Sequence, residues 1–193
     1  MSKRIAFFTA AAFGALALTA TVVAPVSAQD KMKSEMSGEK TVMVGGAAMF
    51  PSKNIIQNAV NSKDHTTLVA AVKAAGLVGT LEGKGPFTVF APTNAAFAKL
   101  PAGTVDTLVK PENKATLTKI LTYHVVPGKL EASDLTDGKK LKTVEGEELT
   151  VKKSGDSVMI VDAKGGSSTV TIPNVNQSNG VIHVVDTVLM PAS

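Results

Sequence analysis

Cysteine is absent from the 193 residues of the chain. This absence excludes a disulfide framework, a thiolate nucleophile and an N-terminal cysteine that could carry a lipid. Cross-links are not needed for stability, because a domain of this size can bury about 70% of the surface that its unfolded chain exposes. We therefore expect a single domain that is held together by its core.

Motifs of catalysis are also missing. The sequence contains neither a G-x-S-x-G nucleophile elbow nor an H-E-x-x-H zinc-binding helix. The three histidines, His65, His124 and His183, lie far apart and lack the spacing of metal ligands. The sequence therefore predicts a protein that is not an enzyme and that binds no metal or cofactor.

Positive and negative charges nearly balance. Twenty Lys and Arg residues against 16 Asp and Glu residues give a formal net charge of +4. A surface for nucleic acid would show basic residues clustered on one face with aromatic residues between them. The sequence has no such cluster, so we expect no nucleic-acid partner.

The N-terminus has the pattern of a secretory signal. Lys3 and Arg4 precede an apolar, Ala-rich run to about Val23, and the small residues at 26–28 suit signal peptidase. Residues 1–28 are therefore predicted to be a cleaved signal peptide, and their removal lowers the net charge to +2. A retained membrane anchor is the alternative, since the run approaches the ~20 residues that span a bilayer. Cleavage predicts an exported protein, periplasmic or extracellular, without a stable membrane span.

Residues 29–50 differ in character from the rest of the chain. Charged residues alternate with Ser and Gly, and no apolar period persists, which predicts a flexible linker. Thioethers are soft ligands that suit Cu(I), so the methionines of this segment could bind copper. These are Met32, Met36, Met43 and Met49. Their irregular spacing favours chance enrichment instead.

Residues 51–191 are predicted to form one α+β domain. Apolar residues at helical spacing come first, and short β-branched runs separated by turn residues follow. In the last predicted helix, Leu117, Ile120 and Leu121 share a face with His124, which places this histidine on the inward side. Strands are predicted at residues 141–144, 149–153, 157–161, 168–172 and 181–190. Early helices and late strands indicate helices packed on an antiparallel sheet.

Two stretches combine a strand with a turn or corner that only certain residue types can form. The first, FTVFAPTNAAF from Phe87 to Phe97, is a strand followed by a helix that Thr93 can cap. The second, SNGVIHVVDTVLMP, contains Asn179-Gly180, a dipeptide that tolerates positive φ at both central positions of a hairpin turn. A strand that ends at Pro191 is predicted to follow this turn.

These two stretches closely resemble the signature boxes of the fasciclin domain family, and Tyr123-His124 resembles the tyrosine-histidine pair of that family. The resemblance implies the fasciclin fold, an antiparallel β-strand wedge packed with α-helices from the N-terminal half. It also implies a small secreted bacterial binding module that mediates cell adhesion or contact with extracellular matrix. The partner would be an extracellular or cell-surface protein or a polysaccharide.

The resemblance further implies a candidate adhesion surface. In fasciclin domains the tyrosine-histidine region is associated with cell binding, which points to Tyr123 and His124; burial of this pair at the end of a helix is the alternative. Some animal members carry an Asp-Ile pair linked to integrin binding, and Asn174 and Val175 occupy the matching positions. Asn lacks the carboxylate that the cation of an integrin requires. A periplasmic carrier of a small apolar ligand or of Cu(I) is the alternative function.

Overall fold

A computed structural model describes residues 40–192 of the chain. The predicted signal peptide and the larger part of the predicted linker, including Met32 and Met36, lie outside the described residues. No helix within residues 40–192 is both long and apolar enough to cross a membrane.

Six α-helices lie in the first part of the described chain: α1 (Ile55–Ala59), α2 (Thr66–Ala75), α3 (Val78–Leu81), α4 (Asn94–Ala98), α5 (Thr104–Leu108) and α6 (Lys114–Tyr123). Short 3-10 turns at Lys63–His65 and Pro111–Asn113 lead into α2 and α6. The strands are β1 (Val42–Val44), β2 (Ala47–Met49), β3 (Phe87–Pro92), β4 (Val125–Pro127), β5 (Lys140–Lys142), β6 (Glu148–Ser154), β7 (Ser157–Val161), β8 (Ser167–Gln177) and β9 (Gly180–Val185).

The helices begin and end where local sequence signals predict. Asn54 and Gln57 form a capping box at α1, in which each side chain accepts a hydrogen bond from the backbone N–H of the other. Helix α2 ends at Gly76, which has a φ of 75°, and the N–H of Leu77 returns to the carbonyl of Val72 at 3.0 Å. His124 follows α6 directly and is buried, so the predicted inward position is confirmed.

Seven strands form one sheet in the order β4-β3-β9-β8-β7-β6-β5. All its neighbouring pairs are antiparallel except β3 and β9, which run parallel from the Phe87–Gly180 pair to the Pro92–Val185 pair. The predicted α+β class is confirmed, but the sheet is mixed rather than wholly antiparallel. The reason is topological: the meander starts at the far edge with β5 and brings β9 back beside β3 in the same direction.

The second signature stretch differs from its predicted form. Gln177 pairs with Gly180, so Ser178 and Asn179 form the turn, and neither Asn179 nor Gly180 has a positive φ. Gly180 is required for another reason, because a Cβ at this position would collide with the carbonyl of Phe87. Strand β9 also ends at Val185 rather than at Met190.

Asn179 connects the sheet to two helices. Its Nδ2 group donates to the carbonyl oxygens of Leu81 and Gly83 at 2.7 and 2.9 Å. Its Oδ1 atom accepts from the backbone N–H of Ile55 at 3.1 Å. This one amide therefore satisfies backbone groups at the start of α1 and around the end of α3.

Part of the predicted linker is folded. Strands β1 and β2 form an antiparallel hairpin, in which the side chains of Val44 and Met49 enter the core. The Asn58 side chain holds the end of the hairpin, since it bonds to both the N–H and the carbonyl of Phe50. The predicted boundary at residue 50 is corrected: the folded domain begins near Val42.

Two apolar clusters fill the interior. The larger one packs the hairpin and helices α1, α2, α3 and α6 against one face of β3 and β9. The smaller one lies on the opposite face, where Phe90 and Val185 meet residues of β6 and β7 such as Val151 and Ile160. Strand β9 is buried along its whole length between these clusters, as predicted for an interior strand.

We expect Gly180→Ala to lower the free energy of unfolding by about 2–3 kcal/mol, because the new methyl group cannot fit against the β3 backbone. Gly79→Ala is the matched control. Gly79 lies in α3 with open space around it, so the same change should stabilise the protein by about 0.5 kcal/mol. Urea unfolding measures both, and equal effects of the two changes would contradict the tight β3–β9 approach.

Candidate functional site

Tyr123 lies at the end of α6 and is fully buried. Its hydroxyl accepts a hydrogen bond from the N–H of Ala163 at 2.8 Å and donates one to the carbonyl of Glu148 at 3.3 Å. Burial raises the pKa of Tyr123, and the nearby Asp162 carboxylate acts in the same direction. The side chain is therefore a neutral bridge between the loop after β7 and the start of β6.

His124 is 2% exposed and bonds through both ring nitrogens. Nδ1 lies 2.7 Å from the carbonyl of Ile120, so it carries the proton, and Nε2 accepts from the N–H of Leu189 at 3.0 Å. Burial lowers the pKa of His124 to about 4, although the Ile120 carbonyl and Asp162 oppose the shift. The imidazole is neutral at pH 7 and ties α6 to the C-terminal segment.

The C-terminal segment, residues 186–192, leaves the sheet and is held by side chains. The N–H of Thr187 donates to Ser168 Oγ at 3.0 Å, in addition to the bond from Leu189 to His124. Met190 donates to Asp162 Oδ2 at 3.0 Å, and Ala192 donates to Glu147 Oε2 at 2.8 Å. These four acceptors replace a neighbouring strand, which explains how the segment stays in place after β9 has ended.

Asn174 occupies an irregular part of β8, within the register shift between Ile172 and Val175, with a φ of 56°. Its Oδ1 atom accepts from the N–H of Ala132 at 2.7 Å, and its own N–H donates to His183 Nδ1 at 3.3 Å. The Nε2 atom of His183 donates to the carbonyl of Leu130 at 2.8 Å. Burial lowers the pKa of His183, which leaves it as a second neutral bridge, stacked on Phe90 at 5.7 Å between ring centroids.

Three of the four residues predicted to form an adhesion surface are buried in this fold, and Asn174 is half-buried. Tyr123, His124 and Val175 are 0%, 2% and 1% exposed, and the amide oxygen of Asn174 is used within the chain. The four residues also have different neighbours: Tyr123 bonds to Glu148 and Ala163, His124 bonds to Leu189 in the C-terminal segment, and Asn174 and Val175 lie beside β9. The adhesive role of these four residues stays a prediction, although the three buried side chains have little surface of their own to offer a partner.

An apolar cavity of about 70 Å³ lies between helices α1, α2 and α6 and strand β3, partly covered by the hairpin residues Val44 and Met49. His65 lines it and is 3% exposed. Its Nδ1 atom lies 2.9 Å from Ser62 Oγ, but Nε2 has no hydrogen-bond partner. Burial lowers the pKa of His65, with the Ala91 carbonyl and Asp64 opposing the shift.

Sequence reasoning missed this cavity because it treated His65 as one of three isolated histidines. The local signal was present: Ser62 precedes His65 by three residues, a spacing that lets a hydroxyl contact the imidazole across one turn. The residues that line the cavity come from distant parts of the chain, so no local sequence pattern predicts the cavity.

Residues 40–192 contain no group of three or more His, Asp or Glu side chains that could hold a metal ion. His124 and His183 already use both ring nitrogens. Of the methionines considered for Cu(I), Met49 is buried in the core and Met43 is 59% exposed on β1. The thioethers of Met43 and Met49 are therefore in different environments within a folded hairpin, and do not share the flexible linker in which Cu(I) binding was considered.

Comparisons with known proteins agree with the fold. The family model for the fasciclin domain matches residues 63–191. Protein sll1483 of Synechocystis sp. is 46% identical over 190 residues, which cover 98% of this chain and 97% of that protein. Cell surface glycolipoprotein MPB83 of Mycobacterium bovis is 40% identical over 153 residues, covering 77% of this chain and 64% of that protein. The solved FAS1 domain pair from the insect cell adhesion molecule fasciclin I has a TM-score of 0.65 at 17% identity, covering 79% of this chain and 58% of that chain.

We expect the free energy of unfolding to fall as the pH falls from 6.5 towards 4, because the unfolded state then protonates His124 and the folded state does not. A pKa lowered from 6.5 to about 4 means that His124 alone reduces the free energy of unfolding by about 3 kcal/mol when the pH reaches 4. The Gln side chain of His124→Gln offers one donor and one acceptor but does not titrate. Between pH 6.5 and 4, the free energy of unfolding of this variant should therefore fall by about 3 kcal/mol less than that of the wild type. Urea unfolding of the wild type and of His124→Gln at pH 7, 5.5 and 4 measures this difference in stability, and the titration of other groups cancels because both proteins contain them. If the free energies of unfolding of the two proteins change with pH in parallel, the buried neutral imidazole is refuted.

Proposed function

Because the chain belongs to the fasciclin domain family, we propose that it is an exported, non-enzymatic binding module that mediates cell adhesion or contact with the cell surface or extracellular matrix. The family match over residues 63–191 is the observation that carries this proposal. A relative named as a cell surface glycolipoprotein and the signal-like N-terminus support export to the periplasm or beyond.

The geometry of the titratable groups favours binding over catalysis. A general base needs a free ring nitrogen within reach of a substrate, and His124 and His183 have none. Ser62 and His65 are in contact like a nucleophile and its base, but both are buried and no carboxylate orients the imidazole. A domain of this kind would act through shape and surface, without turnover.

We assign a supporting role in adhesion to Tyr123, His124, Asn174 and Val175. Their side chains satisfy backbone groups or fill the core beside β6 and β7, at the C-terminal segment and at the irregular part of β8. Changes at these positions that are large enough to deform the domain would weaken adhesion, and they would do so without removing a contact with the partner.

The outer face of β5 and β6 offers a surface for an acidic polysaccharide. Lys140 and Lys142 on β5 and Lys152 on β6 are exposed, and the alternation of side chains places them on the same face. Glu148 lies opposite Lys142 and forms a 3.3 Å ion pair with Lys140, which leaves Lys142 and Lys152 as cations available to a partner.

Deletion of the gene in its native host should reduce attachment of the cells to a surface, and complementation should restore it. Tyr123→Phe should also restore attachment, because it removes only a buried hydroxyl and leaves the outer surface unchanged. Microscopy of adherent cells measures the effect, with immunoblots to confirm equal protein levels. Equal attachment of the deletion and complemented strains would refute the proposal.

Charge reversal by Lys142→Glu with Lys152→Glu should weaken binding to immobilised heparin, used as an acidic polysaccharide probe, by at least about five-fold at low salt. Lys84→Glu with Lys110→Glu changes the net charge equally at two exposed positions outside β5 and β6. Surface plasmon resonance compares the two variants. Equal weakening by both would mean that net charge, and not this face, determines binding.

A further inference from the structure

The cavity beside His65 is apolar on almost every side. Its walls include Leu68, Val72, Val89 and Ile182, and its volume of about 70 Å³ is several times the 10–15 Å³ or so that one water molecule needs. Protein interiors are otherwise closely packed, with few spaces larger than a water molecule. The space is therefore large enough for a compact organic group.

One polar atom in this space lacks a partner. Nε2 of His65 is buried and makes no hydrogen bond, whereas Nδ1 contacts the Ser62 hydroxyl. The other polar side chains in the wall are already used or exposed: His124 bonds at both nitrogens, Thr122 donates to the carbonyl of Thr118, and Thr80 lies at the surface. A buried donor or acceptor that stays unsatisfied is costly, so Nε2 marks a place where a partner is expected.

Water is a poor candidate for that partner. A buried water molecule usually needs two to four polar neighbours, and apolar cavities of this kind remain dry. Here the ring nitrogen faces apolar walls apart from the Ala91 carbonyl near the imidazole, so a water would find polar neighbours only at the lower end of that range. A molecule with an apolar body and a single oxygen atom matches this arrangement better, because it satisfies Nε2 and leaves no other polar group unpaired.

We propose that this cavity is a binding site for a compact, uncharged apolar molecule that carries one hydroxyl or carbonyl oxygen, and that the oxygen forms a hydrogen bond with Nε2 of His65. A hydroxyl serves either ring tautomer, since it can both donate and accept. A carbonyl serves the tautomer in which Ser62 donates to Nδ1 and Nε2 carries the proton. The proposal is independent of the adhesive function, which concerns the outer surface.

The wall also indicates a route of entry. Val69 and Thr122 are only partly buried and Val144 is 44% exposed, so the cavity reaches the surface beside helices α2 and α6. On the other side, the hairpin residues Val44 and Met49 are buried and cover the space. A ligand can therefore enter at the side of Val69 without displacement of the hairpin.

Phenol and toluene are suitable probes, because they share a size and shape and differ in one hydroxyl group. We expect both to shift the ¹³C-methyl NMR signals of Leu68, Val72 and Ile182 in the signal-free mature chain. Phenol should bind about five-fold more tightly, as one net hydrogen bond allows, and should shift the ¹⁵Nε2 signal of His65. The site is refuted if neither probe shifts these methyl signals up to its solubility limit. The role of His65 is refuted if the two probes bind equally and its ¹⁵Nε2 signal does not move.

A matched pair of variants locates the binding. Val69→Phe places a larger side chain in the cavity wall and should abolish binding of both probes. Val60→Phe makes the same change at a position that is 48% exposed and outside the wall, so binding should be unchanged. Retained binding in Val69→Phe would overturn the proposal. If Val69→Phe does not fold, nuclear Overhauser contacts from phenol to the Val72 methyls of the wild type decide, and their absence overturns it equally.

Discussion

The C-terminal segment, residues 186–192, leaves the sheet but remains largely inside the protein. The N–H of Asp186 still reaches the carbonyl of Thr169 in β8, whereas the N–H groups of Thr187, Leu189, Met190 and Ala192 use side-chain acceptors instead. Ser168, His124, Asp162 and Glu147 supply them from four different parts of the chain. This requirement fixes the tautomer of His124, since Nε2 must offer a lone pair to Leu189 and Nδ1 must donate to Ile120. It also fixes the charge of the imidazole, because a protonated ring could not accept the bond.

Because the backbone of the C-terminal segment needs these acceptors, some residues that identify the family have a structural role inside the domain. Tyr123 and His124 belong to the motif by which the chain resembles fasciclin domains, yet both are used to hold backbone groups in the interior. We therefore propose that a partner is bound by other parts of the molecule. The exposed lysines of β5 and β6 are available to a large partner, and the cavity beside His65 is available to a small one.

Local signals predicted much of this fold but not its long-range pairings. The spacing from Leu117 to His124 predicted a buried histidine, because this signal acts within two helical turns. The parallel β3–β9 pair and the Asn179 contacts with α1 and α3 could not be predicted, since their partners are about 90 or more residues apart. The hairpin at residues 42–49 was missed because strands of three residues are too short to show a period. The cavity depends on all of these contacts together.

The central claim is that His124 and His183 are fixed neutral groups with a partner at each ring nitrogen. Long-range ¹H–¹⁵N correlation NMR of the imidazole rings tests it most directly, because the ¹⁵N shifts report which nitrogen carries the proton. At pH 7 we expect opposite tautomers, with the proton on Nδ1 of His124 and on Nε2 of His183. Two identical tautomers, averaged shifts from rapid exchange or a positively charged ring at either position would contradict the account.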